Sequence, residues 1–136
     1  MTSDTIRRLH EAASAARKHA YAPYSKFKVG AALLGTDGKI YAAANVENAA
    51  YPQSQCAEAS AIGLMVASGC TGIAEILVLA ETGEEPVSPC GGCRQRLNEF
   101  AEPSVKVHMA DESGVRGSIT MGELLPHAFG PKQLNK

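Results

Sequence analysis

The sequence lacks an excess of charge of either sign. Thirteen lysines and arginines stand against fourteen aspartates and glutamates, for a formal net charge of -1. That balance gives no electrostatic reason to expect a nucleic acid polymer or a membrane surface as partner. Also missing is any apolar run near the roughly 18 residues of a membrane span. Residues 1–10 do not have the charged-then-apolar layout of a secretory signal. These absences lead to the expectation of a soluble, cytoplasmic protein. There is no internal repeat, no low-complexity stretch and no linker, so residues 1–136 are expected to form a single domain. Apolar residues make up 45% of the chain, enough for one core.

Local patterns then suggest the elements. Ile6, Leu9, Ala13, Ala16 and Ala20 recur at spacings of three and four, which predicts a helix from about Asp4 to Ala20 capped by Ser3 or Asp4. Val29 to Leu34 and Ile40 to Val46 read as strands joined by Thr36-Asp37-Gly38-Lys39, a hairpin signal. A second helix is predicted from Cys56 to Ser68, stopped by Gly69. Glu75 to Ala80 reads as a buried strand. Ser88 and Pro89 fit the cap and first residue of a third helix running to Phe100. Val105 to Ala110 is another strand, followed by a short strand near Ser118 and a short helix from Met121 to Leu125. Strand-helix-strand units call for parallel crossovers, whereas the hairpin is antiparallel. The expected fold class is α/β: three layers, α/β/α, a mixed sheet with helices on both faces. Functional residues should gather where helices begin, beside the strand ends.

Four cysteines are present: Cys56, Cys70, Cys90 and Cys93. In a reducing compartment an even count does not imply disulfides, and metal binding or redox chemistry is the better reading. Two short motifs hold three of them, Cys56-Ala57-Glu58 and Pro89-Cys90-Gly91-Gly92-Cys93. Each falls at a predicted helix start, where free N–H groups favour thiolate over thiol. Three protein ligands with an open fourth position is the catalytic arrangement of zinc. Cys70, 14 residues past Cys56, would lie roughly 21 Å along a continuous helix and so reads as an apolar filler. Glu58 is placed to move protons for a water activated at the metal. Three thiolates around Zn2+ leave a site charge of -1, which helix N-termini and the nearby cation Arg94 would offset.

Singly, these features are ordinary. A glutamate in a first helical turn is often only a favourable charge. A lone CxxC is more often a redox pair or a chance spacing than a zinc site. The combination is specific: an x-Glu motif with His or Cys as first ligand, followed by P-C-x-x-C, is the signature of zinc nucleobase deaminases. His10, His19, His108 and His127 occupy no ligand position in either motif and read as structural.

With these motifs in place the chain resembles cytidine deaminase of the small, homotetrameric, zinc-dependent type. The likeness spans Tyr21 to Phe27, Val29 to Leu33, Asn45 to Tyr51, Ser88 to Gln95, Glu123 to Pro126 and Phe129 to Pro131. It implies one Zn2+ per subunit on Cys56, Cys90 and Cys93, with Glu58 catalytic. It implies Asn45 and Glu47 on the ribose hydroxyls and Phe27 against the base or sugar. The backbone of Ala57 and the Glu58 side chain would read the base edge. Tyr51 and Phe129 would reach a neighbouring subunit's ligand, so that active sites are shared. The implied reaction is hydrolytic deamination of cytidine and deoxycytidine, in pyrimidine salvage. One departure is Ala59, where close relatives commonly carry an arginine beside the thiolates. Three other readings are a deaminase of a modified cytosine nucleoside or nucleoside antibiotic, a thioredoxin-like CxxC protein, and a zinc-stabilised binding module. The second leaves Cys56-Ala57-Glu58 unexplained, and the third needs a fourth protein ligand.

Overall fold

A computed structural model of the protein describes residues 3–134. The outermost residues of the expected 1–136 domain, Met1, Thr2, Asn135 and Lys136, lie outside the described residues. The elements run α1 (Asp4–Arg17), β1 (Gly30–Gly35), β2 (Ile40–Ala44), a 3-10 turn (Tyr51–Gln53), α2 (Ala57–Ala67), β3 (Ile73–Leu79), α3 (Gly91–Asn98), β4 (Ala101–Asp111), β5 (Gly114–Thr120), α4 (Met121–Leu124) and α5 (Pro131–Leu134). The five strands form one sheet in the order β2-β1-β3-β4-β5. β3 and β4 pair in parallel, and every other pairing is antiparallel. The sheet is therefore mixed, as expected.

Strand alternation sends side chains to two cores. On one face, Leu9 and Ala13 of α1 pack on Ala32, Leu77, Leu79 and Ala110. On the other, Ala61, Ile62 and Met65 of α2, Leu97 of α3 and Met121 and Leu124 of α4 pack on Leu33, Ile76, Val78 and Val107. Helices thus cover both faces in three layers. α1 lies so close to β1 that a Cβ on Gly30 would stand 2.1 Å from the Ala13 carbonyl oxygen, and only glycine fits there.

Several boundaries differ from the sequence reading. α1 stops at Arg17, because Arg17 turns its Nε to the Lys28 carbonyl and Ala20 enters the loop toward Tyr21. α2 ends at Ala67, with Gly69 at φ 94 reversing the chain, so Cys70 is beyond the helix. The cap of α3 is Cys90, not Ser88, and its first residue is Gly91, not Pro89. The Pro89 carbonyl accepts from Arg94 Nε at 2.8 Å, which folds the Ser88–Pro89 segment against the helix instead of into it. The strand near Ser118 is a full partner of β4.

His108 is buried in β4. Its ring bridges Glu75 Oε2 at 2.5 Å on β3 and Ser118 Oγ at 2.7 Å on β5. His10 ties α1 to the β4–β5 turn through its Nε2 and the Asp111 carbonyl oxygen, 2.7 Å apart. His108→Leu should cost about 1–3 kcal/mol in urea unfolding, because two polar partners lose their bonds. An unchanged midpoint would show that the bridge adds nothing to stability. No helix among the described residues is long and apolar enough to cross a membrane.

Candidate active site

Cys56 is the N-cap of α2 and Cys90 the N-cap of α3, each with extended backbone and no side-chain cap bond. The two helix starts meet at one end of the α2/α3 layer. There the ligand atoms of Cys56, Cys90 and Cys93 all lie within 4.8 Å of one another. Cys56 Sγ and Cys90 Sγ are 3.8 Å apart. Zinc bonds to thiolate at about 2.3 Å, which sets sulfurs on a tetrahedron about 3.8 Å from each other. The donor chemistry and the spacing both fit Zn2+. All four cysteines are free, and Cys70 is buried elsewhere, with its Sγ donating to the Gly72 carbonyl at 3.3 Å.

Charge explains why these sulfurs call for a cation. Burial pushes the Cys93 thiol far up, and repulsion from Glu58 and Cys56 adds to it. Burial raises Cys56 as well. Burial also opposes ionisation at Cys90, but hydrogen bonds from the Cys93 backbone and from the Cys93 and Cys56 sulfurs prevail and hold it below its ordinary value. Three thiolates cannot coexist here without a compensating positive charge. A divalent ion supplies it, and the helix starts add to it.

Glu58, in the first turn of α2, is only 4% exposed. Burial raises its carboxyl, while its own backbone N–H, the neighbouring Cys93 and the charge of Arg96 work the other way. Ala57 beside it is fully buried, so its backbone is the part it offers to the site. Arg94 is fastened by all three of its donor groups. Nε donates to the Pro89 carbonyl, Nη1 to the Leu124 carbonyl at 3.1 Å, and Nη2 to Ser88 Oγ at 3.1 Å. It binds the loop before Cys90 to α4 and touches no sulfur by hydrogen bond.

The other expected residues lie on the loops. The Asn45 amide ties residues 27–29 in place: Oδ1 accepts from Val29 N–H at 2.9 Å, and Nδ2 donates to the Phe27 carbonyl at 2.8 Å. Glu47 accepts from the backbone N–H groups of Tyr24 at 2.9 Å and Ser25 at 3.1 Å, and from the Ser25 hydroxyl. The Ser25 hydroxyl, then its backbone, hold the Glu47 carboxyl below the usual range. Tyr24, Ser25, Glu47, Tyr51 and Ser54 line a cavity of about 320 Å³. Tyr24 and Tyr51 meet edge to face at 5.9 Å. Phe27, Tyr51 and Phe129 are 42%, 70% and 57% exposed, and the Phe129 carbonyl accepts from Gln95 Nε2 at 2.9 Å. A larger groove of about 620 Å³ runs from the end of α3 to the C-terminal segment and includes neither Glu58 nor any of the three cysteines.

Sequence reading missed Ser25 and Tyr24 as the groups that fix Glu47. It also missed Arg96 as a cation near Glu58. A backbone N–H leaves no mark on residue identity, and an arginine on a helix resembles any solvated charge.

A family model, the cytidine and deoxycytidylate deaminase zinc-binding region, matches residues 3–109. The cytidine deaminase of Sporosarcina psychrophila is 46% identical over 120 residues, which cover 88% of each chain. That of Halalkalibacterium halodurans is 43% identical over 120 residues, 88% of this chain and 90% of the other. The solved structure of cytidine deaminase from Burkholderia pseudomallei superposes with a TM-score of 0.84 at 45% identity, covering 95% of this chain and 100% of that one. The family match runs through both cysteine motifs, so the chain belongs to the cytidine and deoxycytidylate deaminase zinc-binding family.

Proposed function

We propose that this chain hydrolyses cytidine and deoxycytidine to uridine and deoxyuridine with release of ammonia, in pyrimidine salvage. The observation that carries the reading is the convergence of three sulfurs within 4.8 Å of one another beside one buried carboxylate. That set suits hydrolysis: Cys56, Cys90 and Cys93 would hold the ion, and Cys70 sits elsewhere, so no fourth cysteine would close the site.

When bound, Zn2+ supplies Lewis acidity that makes a water nucleophilic near neutral pH. The chain's own groups do the rest. Glu58 takes a proton from the attacking water as oxygen adds to C4 of the cytosine. It passes that proton to N3, then takes the second water proton from the C4 hydroxyl and gives it to the C4 amine as the C–N bond breaks, leaving C4=O and N3–H in the product and ammonia as the leaving group. The short α2 start keeps Glu58 beside the thiolates but outside their set. The Ala57 backbone and Glu58 read the edge of the base.

Glu47, held ionised by the Tyr24–Ser25 turn, is an acceptor for ribose hydroxyls, and Asn45 fixes the adjacent backbone and adds a polar edge. Phe27 packs on the base or sugar. Tyr51 and Phe129 project from their own surface, which leaves them free to cover a neighbour's nucleoside in a homotetramer with shared sites. The reading places the enzyme in the cytoplasm as a single domain spanning residues 1–136.

The test is the ultraviolet absorbance of cytidine and deoxycytidine incubated with the zinc-loaded protein. Conversion to the uridine spectrum with one ammonia per nucleoside is the expected result. Zinc-loaded protein that leaves both spectra unchanged would refute the substrate assignment.

A further inference from the structure

Phe129 is 57% exposed and its ring belongs to neither core. Packing on its own subunit therefore does not fix the direction of the ring, and that task falls to the backbone. The peptide between Phe129 and Gly130 is fastened on both sides. Its carbonyl accepts from Gln95 Nε2 at 2.9 Å and from Asn98 Nδ2 at 3.3 Å. Its N–H donates to Gln133 Oε1 at 2.7 Å. A Cβ on Gly130 would stand 3.2 Å from Asn98 Nδ2 and 3.9 Å from Gln133 Oε1, so glycine lets these amides close on the peptide.

Gln95 and Asn98 stand three apart on α3 and so share a face. The same helix is capped by Cys90 and carries Cys93 in its first turn. It offers two sulfurs at its start and grips the Phe129 carbonyl nearer its end. Gln95 is exposed and Asn98 half-buried, so neither fills a core. Among the described residues, the Phe129 carbonyl is the one hydrogen-bond partner of either side chain. An exposed amide adds little to folding when its acceptor could bond to water instead. Two such amides on one carbonyl set a direction.

We infer that Gln95 and Asn98 are positioning residues for substrate binding. They hold the Phe129 backbone so that the ring stands ready to cover the nucleoside of a neighbouring subunit. The inference rests on the shared-site reading proposed above. A ring that covers the base touches substrate and transition state alike, so its displacement appears in KM while kcat holds.

The test is a mutant cycle in steady-state kinetics, with zinc-loaded protein and cytidine as substrate. Gln95→Met combined with Asn98→Leu removes both donors and keeps the side chains near their size. This amide variant should raise KM about three- to tenfold, the span of one lost aromatic contact. Its kcat should stay within about twofold of the wild type. Phe129→Ala should raise KM at least as much. The amide variant with Phe129→Ala added should match Phe129→Ala alone, because amides that act through the ring have nothing left to position. An unchanged KM in the amide variant would overturn the inference and leave the role of Phe129 standing. So would effects that multiply when combined, or a loss of zinc and kcat, which would assign the amides to the stability of α3. A Phe129→Ala protein with the wild-type KM would remove Phe129 from the site and the inference with it. A wild type inactive on cytidine would remove the substrate reading and the inference together.

Discussion

Glu58→Gln should retain zinc and lose at least about a thousandfold in kcat/KM for cytidine. A positioned acid or base contributes about 10²–10⁴-fold. In the proposed reaction two transfers, to N3 and to the leaving amine, depend on one carboxylate, which places the expected loss in the upper part of that range. The amide keeps the size and shape of the side chain, so the packing of α2 is preserved. It removes an acid that burial already drives toward the neutral form. The thermal midpoint of the variant should therefore equal or exceed that of the wild type. Zinc content and the cytidine absorbance assay, measured on the same preparation, decide the matter. A variant within tenfold of the wild type would take Glu58 out of the proton relay.

Cys90→Ala should release the metal and with it much of the stability. Two sulfurs remain, and one of them, Cys93, is buried with a raised thiol. Without the cation it returns to the neutral form and binds poorly. A metal held at a free concentration 1,000-fold above its Kd stabilises the folded state by about 4 kcal/mol, and that contribution should vanish. Urea unfolding with and without a chelator is the check. A chelator should lower the wild-type midpoint to that of the variant and leave the variant unmoved. A variant that keeps stoichiometric zinc would mean that Cys90 is not a ligand.

Most of this architecture is written locally in the chain. The Asp37-Gly38 turn, the apolar run Glu75 to Ala80 and the three-four spacing on the first helix each give an element from its own residues. The pairing of β1 with β3 is different, because it joins segments far apart and nothing in either names the other. β4 begins at Ala101, ahead of the predicted Val105, and Glu102, Pro103 and Ser104 carry no apolar alternation that would signal it. They are exposed, and the register with β3 shifts between Ile73 and Glu75, so the ladder skips past them. β5 alternates weakly because it is an edge strand with little of either side fully buried. The cysteine cluster was legible because metal ligation restricts both residue type and spacing. The clasp on Glu47 was not, since the backbone N–H groups of Tyr24 and Ser25 that make it leave no mark on residue identity.

The placement of the ligands at two helix caps has a consequence for how the chain assembles. Cys56 and Cys90 are 34 positions apart, and the span between them contains α2, β3 and the loop that follows. An ion bridging them pins that whole span into a ring. Closing a flexible loop of that length costs about 3 kcal/mol of chain entropy. An ion captured early meets that cost before the sheet is complete. β4 then finds the edge of β3 from a start already tethered nearby, and the parallel pairing that crosses through α3 becomes a short search instead of a long one.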